Sequence, residues 1–162
     1  MYSAENLEKL KGLIKGIQFC MLTTLDDEGS LRSRPLTTQE TTEDGYIWFF
    51  ISNKGTLVEE LHRSSRLNLA YSDPSHNRYV SVSGHGALIR DSAMAKKLWT
   101  PVLKAWFPKG LEDPDLALLR VDIEKAEYWD APNSKLVQIA GFIKSIATGE
   151  RLKNVGDHQE FH

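Results

Sequence analysis

Two arginines one residue apart, in the run Arg32-Ser33-Arg34-Pro35, are the pair in this chain best suited by type and spacing to chemistry on an anion. On an extended strand alternate side chains share a face, so Arg32 and Arg34 project together. Two planar guanidinium forks side by side make a clamp for phosphate or carboxylate. Pro35 has no N–H, which favours an edge or a bulge and leaves nearby backbone polar groups free for a ligand. The plain alternative is a surface strand with two solvated arginines. A second segment, Phe50-Ile51-Ser52-Asn53-Lys54-Gly55-Thr56, passes from an apolar run into a helical pattern. The free N–H groups of a helix start attract anions, Ser52, Asn53 and Thr56 add neutral donors, and Lys54 adds a charge. An ordinary capping loop is the alternative. In a third segment, Lys104 to Gly110, Trp106 offers a ring that could cover an aromatic ligand. The alternative there is that Trp106 and Phe107 simply close a core.

Other chemistries lack their residues. The histidines at 62, 76, 85, 158 and 162 show no metal-ligand spacing, and Cys20 is the single cysteine, so no metal site is expected. There is no Gly-x-Ser-x-Gly elbow and no phosphate-binding P-loop, and Gly84-His85-Gly86 is too short for a dinucleotide fingerprint. No side chain is nominated as catalytic. A net charge of -2 gives no general attraction for nucleic acid or an anionic membrane, so any anion site must be local. A lone cysteine fits a reducing compartment. No apolar run approaches the roughly 20 residues needed to span a bilayer. These features point to a cytoplasmic protein that binds neither nucleic acid nor membrane.

The elements that must position these groups follow from periodicity. Ser3 to Ile17 puts Leu7, Leu10, Leu13, Ile14 and Ile17 on one helical face. Phe19–Leu25 and Leu31–Gln39 read as strands around the turn Asp26-Asp27-Glu28-Gly29, and Tyr46–Ile51 as a central strand after Glu43-Asp44-Gly45. A helix over Thr56–His62 packs Leu57, Val58 and Leu61 and exposes Glu59 and Glu60. Strands follow at Leu67–Tyr71 and Tyr79–Ile89, the second carrying the glycines of Gly84-His85-Gly86, which mark a bulge, a corner or a close approach. Ser92–Trp106 reads as one helix kinked at Pro101, Leu116–Trp129 as the last strand, and Lys135–Thr148 as a weaker helix. Residues 1–149 thus form one domain, and residues 150–162 a polar tail expected to fray. Consecutive strands joined by short turns argue for antiparallel pairing in a small, closed or partly closed barrel.

Taken in order, these segments resemble the general stress proteins of the pyridoxamine 5'-phosphate oxidase-like, FMN-binding split-barrel family. The carriers are Arg32-Ser33-Arg34-Pro35-Leu36, Gly45-Tyr46-Ile47-Trp48-Phe49-Phe50, Val58-Glu59-Glu60-Leu61, Val80-Ser81-Val82-Ser83-Gly84, Ala105-Trp106-Phe107-Pro108, the stretch from Asp113 to Leu119, and Tyr128-Trp129-Asp130. The resemblance implies a mainly β (α+β) fold, a six-stranded antiparallel split β-barrel with flanking helices, forming a homodimer with FMN at the subunit interface. It implies that Arg32, Ser33, Arg34 and Pro35 lie along the isoalloxazine ring, that Phe50, Ile51, Ser52, Lys54 and Thr56 belong to the segment reaching the ribityl phosphate, and that Trp106 sits close to the flavin. Where the family commonly offers a serine and a lysine to the phosphate, this chain has Gly55 and Leu57. Lys54, Thr56 and the loop's N–H groups would then compensate, with more electrostatic weight on Arg32 and Arg34. The paired arginine and histidine of true pyridoxamine phosphate oxidases are not found near the C-terminus, so that activity is not expected. The implied function is flavin-dependent oxidoreduction on an unassigned substrate. The alternatives are a non-enzymatic flavin-binding or redox-sensing module, or a split barrel holding a different flavin, a deazaflavin or haem.

Overall fold

The computed structural model describes residues 4–130 and 157–161. Helix α1 (Ala4–Ile14) buries Leu7, Leu10, Leu13 and Ile14 as their spacing predicts, and ends just before Gly16, which takes a φ of +85°. Strand β1 (Phe19–Leu25) turns into β2 (Leu31–Thr37) through a loop in which the Asp26 carboxylate accepts from the backbone N–H groups of Glu28 and Ser30. A two-residue β3 (Glu40–Thr41) pairs with β4 (Tyr46–Ser52), and helix α2 (Thr56–Arg63) follows. Strands β5 (Arg66–Asp73) and β6 (Arg78–Ile89), the short helix α3 (Ser92–Leu98) and the long strand β7 (Leu116–Asp130) complete the domain.

All pairings are antiparallel, and the strands run in the order β2-β1-β5-β6-β7-β4-β3. The six long strands form the expected split barrel. Its hydrogen-bonded path does not close: β2 ends the sheet and approaches β4 without pairing with it. Strand β4 is apolar at nearly every position because both of its faces are covered. Ile47, Phe49 and Ile51 enter the main core with Leu22, Leu69, Val82 and Val121, whereas Trp48 and Phe50 meet Leu98, Leu103, Phe107 and Leu118 in a second core. The register of β6 against β7 shifts between Ser83 and Gly84, so the Gly84-His85-Gly86 run marks a bulge in a strand that continues through it.

Three local expectations change. The helix predicted over Ser92–Trp106 stops at Leu98, because the residue before a proline is driven out of the α region. Thr100 is extended (φ −125°, ψ 148°), and Pro101–Ala105 makes a separate 3-10 turn. Glu60, expected on a solvated helix face, is buried at 2% exposure. The polar tail does not simply fray: residues Asp157–Phe161 form a strand, β8, beside Ala126–Asp130 of β7, with an ion pair between Lys125 and Glu160. The helix read over Lys135–Thr148 lies outside the described residues.

Candidate functional site

A cleft of about 630 Å³ opens where the split barrel fails to close. Its main walls come from Arg34 to Thr37 of β2, Phe50 to Ser52 at the end of β4, Gly55 to Leu57 at the start of α2, and Leu103 of the 3-10 turn with Trp106 and Phe107 just after it. Asp115, just before β7, and Gln18, Phe19 and Gln39 also line it. Since β2 ends the sheet, one row of its backbone N–H and C=O groups is outside any ladder, and within it the Thr37 carbonyl accepts from Gln39 Nε2 at 3.0 Å. The size is within the usual range for small-molecule sites.

Seven of the ten residues singled out from the sequence therefore share one cavity: Arg34, Pro35, Phe50, Ile51, Ser52, Thr56 and Trp106. Arg32, Ser33 and Lys54 do not line it. Ser33 lies on the other face of β2, hydrogen-bonded at 2.7 Å to the hydroxyl of Thr23. The two neighbouring aromatics divide their duties. Phe107 is buried in the second core, while Trp106 stands at the cleft with 64% of its surface exposed. A large indole left that open on a cleft wall has area to give to a flat ligand.

Arg32 and Arg34 do project from one face, but they meet a carboxylate of the chain itself. Glu60, from α2, receives Arg32 Nη1 on Oε1 at 3.1 Å and Arg34 Nη2 on Oε2 at 2.6 Å. The hydroxyl of Thr24 donates to the same Oε2 at 2.6 Å and accepts from Arg34 Nη1 at 2.9 Å. Burial pushes the Glu60 carboxyl up, but hydrogen bonds from Thr24 and Arg34 and the charges of Arg34 and Arg32 outweigh it and hold the group below its ordinary value. The pattern at Glu60 was available in the sequence: it lies three residues after Leu57 and next to Leu61, on the apolar side of α2.

At the other end of the cleft, Gly55 is the N-cap of α2 and makes no side-chain bond to the first turn, so the helix start is open. Asp115 holds the loop before it. Its carbonyl accepts from Asn53 N–H at 2.7 Å and its Oδ2 from the Ser52 hydroxyl at 3.0 Å. Its Oδ1 is buried and has no hydrogen-bond partner. Sequence reasoning did not single out Asp115, because the partner it anchors lies 63 positions earlier. Nearby Asp113 is held below its ordinary value by the backbone N–H groups of Asp115 and Lys109, with smaller help from the charges of Lys109 and Lys54.

Other reactive side chains lie elsewhere. Cys20 is buried in the main core, and burial pushes its thiol up to about 11. On the surface, outside the cleft, the Ser65 hydroxyl is hydrogen-bonded to His85 Nδ1 at 3.0 Å, and His85 Nε2 lies 3.5 Å from a carboxylate oxygen of Glu124. Among the described residues no cluster of three metal-ligating side chains exists and no helix is long and apolar enough to cross a membrane.

Comparison with known proteins gives a consistent family. The profile described as pyridoxamine 5'-phosphate oxidase like matches residues 5–153. A general stress FMN/FAD binding protein of Xanthomonas citri is 36% identical, with a TM-score of 0.67 over 79% of this chain and 90% of that one. A Jannaschia structure assigned to general stress protein 26 shares the fold over 98% of both chains, with a TM-score of 0.76 at 21% identity. The protein bli-3 of Neurospora crassa is 25% identical across 90% of this chain and 75% of its own length.

Proposed function

This chain belongs to the pyridoxamine 5'-phosphate oxidase-like family, and on that premise we propose that it binds a flavin, FMN, in the cleft beside β2. The observation that carries the reading is the meeting of Arg34-Pro35, Phe50 to Thr56 and Trp106 in one cavity. The donor set fits the group. Pro35, Leu36, Phe50, Leu103 and Trp106 supply apolar walls for a flat ring, and the free edge of β2 supplies backbone donors and acceptors for its polar rim. The uncapped start of α2 offers N–H groups for an anion.

A bound flavin supplies hydride or single-electron transfer, which makes a flavin-dependent oxidoreductase acting in a stress response the enzymatic form of this proposal. The chain's own part is to position the ring, set the charge around it and exclude water. The reading extends to a homodimer. Phe19, Met21, Tyr79 and Trp129 are exposed along one outer face of the sheet, and Phe19 also lines the cleft, so a second copy on that face would border the ligand. Cytoplasmic location belongs to the same proposal.

One observation favours a second reading, a flavin-binding or redox-sensing module without turnover. Among the described residues lining the cleft there is no histidine, cysteine, tyrosine or lysine, and the single carboxylate, Asp115, is already bound to Ser52. The visible spectrum of freshly purified protein, with mass identification of any released chromophore, tests the common premise. A yellow protein, or a colourless one that takes up added FMN, is expected; a colourless protein indifferent to FMN overturns it. Reduction of the bound flavin by NADH or NADPH and reoxidation by an acceptor then separate enzyme from module.

A further inference from the structure

A second cavity, of about 420 Å³, lies behind the end of the cleft where α2 begins. The two share a thin wall. Ser52 and Asp115 line the cleft, whereas their chain neighbours Asn53, Pro114 and Leu116 line the second cavity. Two hydrogen bonds close the wall: Asn53 N–H to the Asp115 carbonyl at 2.7 Å, and the Ser52 hydroxyl to Asp115 Oδ2 at 3.0 Å. The next residue of the loop, Lys54, is exposed, and its charge and that of Lys109 act on Asp113 close by.

The second cavity joins apolar surface to unused polar groups. Ile89, Leu111 and Pro114 give it apolar walls, while the side chains of Arg90, Asn53 and Ser92 make no hydrogen bond or ion pair among the described residues. The nearby carboxylates are turned onto backbone N–H groups: Asp91 accepts from Met94, and Asp113 from Lys109 and Asp115. Arg90 is thus a guanidinium without a partner, next to a free amide and an apolar wall. An adenylate needs that set: a phosphate for the guanidinium fork, a polar base edge that an Asn amide can meet with two hydrogen bonds, and flat faces for apolar side chains. Resting on the flavin reading above, we infer that this cavity takes the adenylate half of FAD. The first phosphate then lies at the open start of α2, and the second passes over the loop of residues 52–55, by Lys54, to Arg90. FMN fills the cleft alone, and FAD fills both cavities.

Fluorescence titrations of the full chain with FMN and FAD test this. The unmodified protein binds FAD about tenfold more tightly than FMN, the gain from one charge-assisted hydrogen bond at the low end of its range. Arg90→Ala removes most of that advantage by weakening FAD about tenfold, and leaves FMN within about twofold. Leu111→Ser, on the apolar wall, also weakens FAD and spares FMN. FAD binding no tighter than FMN in the unmodified chain overturns the inference and leaves the flavin reading intact. So does an Arg90 variant that weakens both ligands in equal proportion, or neither, since the cavity then takes no part in holding the dinucleotide. If neither flavin binds, the flavin reading and the inference fall together. The comparison in the unmodified protein decides the matter even if neither variant folds.

Discussion

The guanidinium of Arg34 and the carboxylate of Glu60 meet at 2.6 Å, 26 residues apart in the chain. That bond ties the edge strand β2 to helix α2, the two elements that border the cleft on its polar side. Arg32 and Thr24 complete the network, and every hydrogen-bonding oxygen of Glu60 is occupied. The arginine pair is thus first a structural device, with only part of Arg34 left to a ligand.

Glu60→Ala should destabilise the fold. Removing one partner of a fully buried ion pair costs about 3–5 kcal/mol. Here Arg32 is half exposed and Arg34 is one-fifth exposed, so both can be partly rehydrated and the expected loss falls to about 1–3 kcal/mol. Urea denaturation monitored by circular dichroism measures it. A change within about 0.5 kcal/mol, the range of ordinary surface substitutions, contradicts the role given to the network.

The same network predicts a pH dependence. The folded Glu60 carboxyl titrates below its ordinary value of 4.5. Its contribution is therefore complete above that pH and is lost as pH falls through the folded value, where the native state must take up the proton. The urea midpoint of the unmodified protein should fall as pH drops below about 4.5, and Glu60→Gln should flatten that part of the profile. Parallel profiles for the two proteins would show that other carboxylates govern acid stability.

Trp106→Ala separates ligand binding from folding. The ring is largely exposed and outside both cores, so its loss should leave the thermal midpoint almost unchanged. Its stacking on a flavin is worth about 1 kcal/mol beyond simple area, or roughly a fivefold loss of affinity. Flavin titration alongside a melting curve checks both halves. Equal affinity in the variant would remove Trp106 from the site.

Two glycines of β6 should differ in what they tolerate. A methyl group at Gly86 would meet side-chain tips of Leu61 and Leu67 at 2.8 and 2.9 Å, which can shift at a cost of about 1–3 kcal/mol. At Gly84 it would strike the backbone carbonyl of Asp122 at the bulge, which cannot move without breaking the pairing of β6 and β7. Gly84→Ala should therefore be the more damaging of the two by chemical denaturation. The reverse order would show that the bulge is softer than the packed leucines.

Much of the architecture was legible residue by residue. Strand β1 begins and ends where its alternation does, β4 declares itself by unbroken aromatic and branched residues, and turns at Gly29 and Gly45 carry the positive φ that glycine permits. Site segments could be chosen because guanidiniums, a loop into a helix start and a lone indole are chemically informative wherever they occur. Local sterics and side-chain type act over a few residues, so a linear reading captures them.

What Arg32 and Arg34 point at is another matter. They share a face because strands alternate, but whether that face meets a phosphate or a carboxylate depends on how α2 docks beneath β2. The docking brings Glu60 to them from beyond two intervening strands. Asp115 reaches Ser52 only because β7 pairs with β4, and β8 exists only because β7 offers it an edge. The amino-acid sequence determined which elements form and which residues carry chemistry. The tertiary structure decided which charges cancel, because the partner that neutralises a buried charge is chosen by packing and can come from anywhere in the chain.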